Sequence, residues 1–510
     1  MQEKNAEQAK IIFEADKLGY NSEVRKMIKL NRQRYLDKLH ACWLGKNIGG
    51  TLGAPYEGKR AFLDITDFAT KKGENYPNDD LDLQLIWLAA IEEVGPSNFS
   101  ANTLAEFWLD WIPPHCNEYG IAKSNLRVGL LPPMSGEIDN DKWKTSNGAW
   151  IRSEIWASLC PGVVDAAVKY AVMDAMVDHG LNEGTYAEIF TATIESAAYV
   201  ESDIRKLIEC GLKKIPEDCM VAKTVRLVID CYDKGVEYRE AREKVVEFNK
   251  ELGWFQAPGN LGFVAIGLLY GEGDFRKSVL YAINCGDDTD CTGATVGSVM
   301  GIIGGTESIP EEWKEFVGDK IVTAFINSMY GHRIPKTCTN LKDRVAALVP
   351  SVMRANRVSF GFIDGVDEVS AEDFEAYNQL TSADFLNRSP YSYDITDAHP
   401  FSVMVEMDKT PRVTPGEERK IKLSFTCSPN VHEQRKLQLR VIVPETWEAG
   451  YCPKTLALDY AQPGHKIYGK ASVEFTIRAG EKIDVTNRAY VEVTSQTLPY
   501  SVMIPVVFIG

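Results

Sequence analysis

The chain has 510 residues, 45% of them hydrophobic and 25% charged, which is enough apolar material for one to three domains with buried cores. A formal net charge of −16 excludes bulk nucleic-acid binding, which needs a basic surface to displace counterions. Eleven cysteines occur without a Cys-x-x-Cys pair, which argues against a zinc ribbon or a thioredoxin-type redox site and for a reduced, cytoplasmic protein. The first twenty residues are charged and lack the apolar core of a signal peptide. The longest small-apolar stretch, Gly293 to Gly305, is too short to span a bilayer, so no membrane association is expected.

In chain order, residues 1–33 read as an N-terminal helical extension and residues 34–340 as an all-helical domain. Leu83–Glu93, Thr185–Tyr199, Ala222–Tyr232, Arg239–Leu252 and Phe275–Ile283 carry apolar residues at three-to-four spacing. Between Pro113 and about Asn147 lies a stretch with Pro113-Pro114, Pro132-Pro133, several glycines and little periodicity, the pattern of a long irregular binding loop or lid. Residues 341–395 read as a partly helical connecting region. From 396 to 510 the pattern changes to strand alternation. Ser402–Met407, Lys420–Phe425, Lys436–Val443, Ala471–Ile477, Ala489–Thr494 and Met503–Phe508 predict a small β-sandwich. The fold class is therefore multidomain, all-α followed by β.

Two acidic clusters stand roughly two hundred residues apart: Asn78-Asp79-Asp80-Leu81-Asp82 and Asp287-Asp288-Thr289-Asp290-Cys291-Thr292. Each precedes a helix-forming run. One acid there caps a helix and complements its dipole. Several acids in half a turn repel one another, and hard divalent cations such as Mg²⁺ or Mn²⁺ suit such a pocket of oxygens. Helix capping and metal binding both remain open from the clusters alone. After the second cluster, Gly293, Gly297 and Gly301 share one helix face, the mark of close backbone packing.

At these residues the chain resembles the ADP-ribosylglycohydrolase family, which includes the dinitrogenase-reductase-activating glycohydrolases. Gly49-Gly50-Thr51-Leu52-Gly53-Ala54-Pro55-Tyr56-Glu57 is similar to the family's first motif, Asn78-Asp79-Asp80-Leu81 to its second, and Gly286-Asp287-Asp288-Thr289-Asp290-Cys291 to its third. The resemblance covers about residues 34 to 335. It implies an all-helical glycosidase with a binuclear centre of Mg²⁺ or Mn²⁺. Asp79, Asp80, Asp288 and Asp290 would be carboxylate ligands. Asn78 stands at the place of a family Thr, and its amide oxygen can still ligate. Cys291 stands at the place of another Thr, with Thr292 one position later as a substitute ligand. Gly50 replaces a family Asp.

The resemblance also implies roles in catalysis. Glu57, with Asp79 and Asp80, would act on a water or the leaving group. Ser146-Asn147-Gly148 is similar to a turn that opens a helix and meets the nucleotide, and an ordinary Asn-Gly turn is the alternative. His179 matches a histidine near the family's ligand, and Asn260 would line the same pocket or simply cap its helix. The implied activity is metal-dependent hydrolysis of a ribosyl bond, in a small-molecule or protein-linked ADP-ribosyl compound. A glycosidase acting on nucleosides or other glycosides, and a non-catalytic ADP-ribose-binding protein, are the alternatives.

Overall fold

The computed structural model describes residues 27–365, 369–370, 374–396, 398, 400–428, 433–460, 469–495 and 499–510. They fall into two compact units: Lys26–Arg127 with Pro132–Asn387, and Arg388–Gly510 with Val128–Leu131.

The first unit holds seventeen α-helices among the described residues. Its centre is a pair of helices, Arg32–Gly53 and Thr289–Gly304, buried almost all round. Beyond the exposed start of the first (Arg32, Gln33, Arg34 and Asp37), neither has a solvent face, as expected of helices at the middle of a large core. Glycines make the pairing possible. A Cβ on Gly45 would lie 2.1 Å from the Gly297 carbonyl oxygen, one on Gly49 2.1 Å from that of Gly293, and one on Gly53 2.2 Å from that of Thr289. The two backbones therefore touch, and this contact fixes the start of the second helix against the end of the first. Asp79–Val94 is the third central helix, buried from Asp80 through Ile91. Outer helices are amphipathic: Ile204–Lys214 buries Leu207, Ile208 and Gly211 and exposes Lys206, Glu209 and Lys213.

The structure moves several expected boundaries. Residues 1–26 of the expected N-terminal extension lie outside the described residues. Residues Ile28–Leu30 form strand β1, which pairs in parallel with β2, Phe360–Phe362. The helix Cys338–Ala355, expected largely in a connecting region, packs on the first helix, where the Cys338 thiol donates to the Trp43 carbonyl. The helical unit thus runs on to Asn387. The stretch after Pro113 is not irregular throughout, since Asn117–Val128 and Met134–Glu137 are helical. Its proline and glycine content hid a helix with seven of twelve positions apolar or small. Among the described residues, no helix is long and apolar enough to cross a membrane.

The second unit is two antiparallel sheets. One has the order β3 (Ser392–Ile395), β4 (Phe401–Met407), β5 (Glu418–Cys427), β9 (Lys470–Arg478), β7 (Glu448–Ala449). The other runs β11 (Ser501–Ile509), β10 (Thr486–Ser495), β6 (Arg435–Ile442), β8 (Thr455–Leu458). Each of the six expected runs is a strand. Alternate residues such as Val403, Val405, Leu423 and Phe425 from one sheet, and Val491, Val493, Ile504 and Val506 from the other, are buried. Trp447 meets Phe508 across the core at 5.1 Å between rings, and the Tyr393 hydroxyl donates to the Pro505 carbonyl. This is the β-sandwich that the alternation predicts.

Candidate active site

The starts of the helices Asp79–Val94 and Thr289–Gly304 meet at the floor of a cleft of about 150 Å³ in the helical unit. Its walls include Glu57, Asp79, Glu118, Tyr119, Trp143, Ser146–Gly148, Phe255, Asp288, Asp290, Cys291 and Phe325. Two groups of possible ligand atoms lie there, each with its atoms within 4.8 Å of one another: Asp80, Asp290 and Cys291, and Glu57, Asp288 and Asp290. Asp290 belongs to both. Among the described residues, Oδ1 of Asp80, Asp288 and Asp290 and both amide atoms of Asn78 are buried without a hydrogen-bond partner. Buried oxygens in this state are costly unless something positive meets them. Neither Asn78 nor Asp288 makes a side-chain cap bond to its helix. Capping therefore does not account for Asn78 or Asp288, and a divalent cation fits the donor set.

Electrostatics follow from this crowding. Burial, then the neighbouring Asp290, pushes the Asp79 carboxyl up to about 6, against the hydroxyl of Tyr119, which donates to Asp79 Oδ2 (3.1 Å). Glu57, whose carboxyl turns toward the floor at the cleft mouth, is pushed up to about 7 by desolvation, then by Asp290 and Asp79. Burial also raises Asp80, Asp288 and Asp290.

One cation is built in behind the floor. Lys46 is 1% exposed; its Nζ donates to Glu154 Oε1 (2.7 Å) and the Ile151 carbonyl (2.8 Å) and lies 3.8 Å from Asp80 Oδ1. Burial alone lowers its ammonium, but Glu154 and Asp80 outweigh that and hold it above its usual range. Gln84 locks the arrangement, donating from Nε2 to Glu154 Oε2 (2.8 Å) and the Asp80 carbonyl (2.8 Å).

The remaining acids of the two clusters are structural ties. Asp82 Oδ2 accepts from the backbone N–H of Ala324 (2.7 Å) and Phe325 (2.8 Å), which brings Phe325 to the cleft. Asp287 adopts a left-handed backbone (φ 64°), pairs with Lys59 and accepts from the Phe255 N–H, so the Glu57 loop is tethered to the second cluster. Gly50 and Asn78 are matched to each other: a Cβ at 50 would fall 2.4 Å from Asn78 Nδ2, so the larger residue at 78 needs the bare one at 50.

Of the expected nucleotide contacts, Ser146, Asn147 and Gly148 line the cleft, but not as a row of free N–H groups. Ser146 N–H donates to the Trp143 carbonyl and Asn147 N–H to the Phe255 carbonyl. The turn leads into a 3₁₀ turn, Trp150–Arg152, rather than a long helix. Arg152, clamped by Asp174 and Asp178, donates to the Gly148 carbonyl and holds the turn from behind. Asn147 Nδ2 donates to Asp288 Oδ2 (2.6 Å), linking the turn to the acid floor. His179 is fully buried and lies behind Ser146, its Nε2 3.0 Å from Ser146 Oγ. Asn260 is also fully buried and accepts from the Asp288 N–H (3.3 Å), so it positions Asp288 rather than facing the cleft. The Thr292 hydroxyl donates to the Asp288 carbonyl (3.0 Å) inside its own helix, and Cys291 occupies the corner by Asp80 instead.

Sequence reading missed Glu118, Tyr119, Phe255 and Phe325 as cleft residues, and Lys46 and Glu154 behind it. Lys46 left one signal: a lone charge in the small-residue run 41–54, which in a buried helix must find a partner. Burial, chiefly, pushes Glu118 up to about 7, and its carboxyl oxygen lies where a Cβ on Gly148 would be, 2.4 Å away.

The family model described as ADP-ribosylglycohydrolase matches residues 31–345. A curated protein of Archaeoglobus fulgidus, named only as uncharacterized, is 22% identical over 312 residues, which is 56% of this chain and 92% of its own length. Among solved structures, an ADP-ribosylglycohydrolase-related protein complex aligns with 18% identity over 63% of this chain and 99% of its own, at a TM-score of 0.38. A FixG-related protein from Vibrio parahaemolyticus aligns with 12% identity over 22% of this chain and 96% of its own, at a TM-score of 0.18.

Proposed function

The chain belongs to the ADP-ribosylglycohydrolase family, and from that premise we propose that it is a metal-dependent hydrolase of a ribosyl glycosidic bond in an ADP-ribosyl compound. One observation carries the reading: carboxyls from two distant clusters converge on one floor and leave buried oxygens with no hydrogen-bond partner among the described residues. Asp79, Asp80, Asp288 and Asp290, with the Asn78 amide beside them, would hold the cations, and Asp290 common to both groups supports two ions, Mg²⁺ or Mn²⁺. Bound there, a divalent cation supplies positive charge that orients ribose hydroxyls and polarises a water.

The chain's own residues supply the rest. The floor carboxylates stabilise positive charge on the anomeric carbon as its bond to the leaving atom breaks, both electrons going to that atom. Glu57 takes a proton from the water that attacks this carbon and returns it to the leaving atom. Its position near 7 suits a group that must both accept and return a proton close to neutrality. Ser146, Asn147 and Gly148 line the wall, with His179 fixing Ser146.

A panel of arginine- and serine-linked ADP-ribose, free ADP-ribosyl compounds and nucleosides, assayed with Mg²⁺ or Mn²⁺ and after chelation, tests this reading. Cation-dependent release of a ribosyl product is expected, and failure to cleave any member of the panel contradicts it. The cleft volume favours a second outcome within the panel. About 150 Å³ is below the ~300–1,000 Å³ of a pocket that encloses a whole drug-sized ligand. A nucleoside or other small glycoside is the substrate if it is cleaved faster than any ADP-ribosyl compound.

Stability should depend on pH in a direction fixed by the raised carboxyls. Glu57, Asp79, Asp82 and Glu118 hold protons in the fold up to about 6–7, which they release near pH ~4 when unfolded. Their contribution is therefore complete below about pH 4 and is lost as pH rises through about 7. The melting temperature of chelated protein is expected to fall between about pH 5 and about pH 8, and Mn²⁺ is expected to restore it most at the higher pH. Differential scanning calorimetry at both values checks the sign.

A further inference from the structure

The two groups of ligand atoms differ in chemistry. Glu57, Asp288 and Asp290 offer only oxygen, whereas Asp80 and Asp290 are joined by the Cys291 sulfur. Cys291 is 5% exposed and its thiol points at Asp80 Oδ2, 3.4 Å away. The thiol does not stand alone. Asp80 and Asp290, 0% and 7% exposed, each present an Oδ1 with no hydrogen-bond partner among the described residues. A sulfur donor weakens the hold on Mg²⁺ and strengthens it on Co²⁺, Zn²⁺ or Fe²⁺.

We propose that the two cation positions are unequal: a thiophilic divalent ion sits at Asp80, Asp290 and Cys291, and a hard ion sits at Asp288 and Asp290, on the side facing Glu57. This rests on the metal-dependent reading above. On binding, the sulfur–metal bond forms, the S–H bond breaks and its proton leaves to solvent, with no change of oxidation state. Lys46, 3.8 Å from Asp80 Oδ1, adds a fixed positive charge beside the first position, so that position needs strong individual bonds to retain an ion. A thiolate bond supplies one.

The test is an absorption titration of the full chain with Co²⁺ in the presence of excess Mg²⁺, followed by calorimetry. The expected result is a near-ultraviolet sulfur-to-cobalt charge-transfer band that saturates at a single ion per chain and survives the Mg²⁺. Cys291→Ser should remove the band and weaken Co²⁺ binding by about tenfold or more. Cys116, exposed at the cleft mouth, is the control, and Cys116→Ser should keep the band. Circular dichroism confirms that the variants fold, and Cys291→Thr provides a second replacement of different shape. Co²⁺ binding without the band, with affinity unchanged in both Cys291 variants, overturns the unequal pair and leaves the metal reading standing. Absence of any Co²⁺, Mn²⁺ or Mg²⁺ binding overturns both.

Discussion

Asp290→Asn is expected to abolish binding at both cation positions and to lower kcat/KM by about 10³-fold or more. Asp290 is the residue common to the two ligand groups, so its loss cannot be made good by either. The substitution keeps the shape and removes a charge that raises both Glu57 and Asp79. Chelated Asp290→Asn protein should therefore melt no lower than chelated wild type, and isothermal titration with Mn²⁺ should give no heat of binding. Asp82→Ala is the contrast. Asp82 lies in the same acidic run but is bonded to Ala324 and Phe325. It should lose stability and keep cation binding. If Asp290→Asn instead binds Mn²⁺ with wild-type affinity, the shared-ligand arrangement is wrong.

Gly49→Ala is expected to destabilise the helical unit by about 3 kcal/mol or more, at or beyond the upper end for overpacking. The added methyl would lie 2.1 Å from the Gly293 carbonyl oxygen and 2.3 Å from its carbon. Both obstacles are backbone, so neither can rotate aside. The two central helices would have to separate, and the start of the second helix would carry Asp288 and Asp290 away from Asp80. Loss of stability and loss of cation affinity should therefore appear together. Gly259→Ala tests whether position rather than residue type is responsible. Its nearest neighbour, Asn249 Cβ, is 3.8 Å away, and alanine there should be neutral or stabilising by up to ~1 kcal/mol. Urea denaturation followed by tryptophan fluorescence measures both.

Much of this arrangement was legible in the sequence, for particular physical reasons. The acid runs at 79–82 and 287–290 carry more like charge than helix ends require, and residues of both meet at one cleft. Strands β4, β5, β6, β9, β10 and β11 announce themselves by alternation, because one face of each is core. The glycine spacing at 293, 297 and 301 reads as close packing, and the partner face at 45, 49 and 53 has the same period. Pairings across long separations were not legible. Lys46 meets Glu154 108 positions on, and Gln84 meets Glu154 70 positions on. No local pattern encodes such a match. The choice between Cys291 and Thr292 turned on helix geometry: oxygen preference pointed to the threonine, whereas one step along the helix turns that hydroxyl back to its own carbonyls. The turn at 146–148 lines the cleft, but a local contact to Trp143 and a long-range one to Phe255, which no local pattern encodes, take up two of its N–H groups.

The central claim is that carboxyls separated by about two hundred residues share cations on one cleft floor. Anomalous diffraction from crystals saturated with Mn²⁺ tests it most directly. The account expects anomalous density in contact with both Asp80 and Asp290, with a second peak between Asp290 and Glu57. A saturated crystal with no anomalous peak at Asp290 would contradict it.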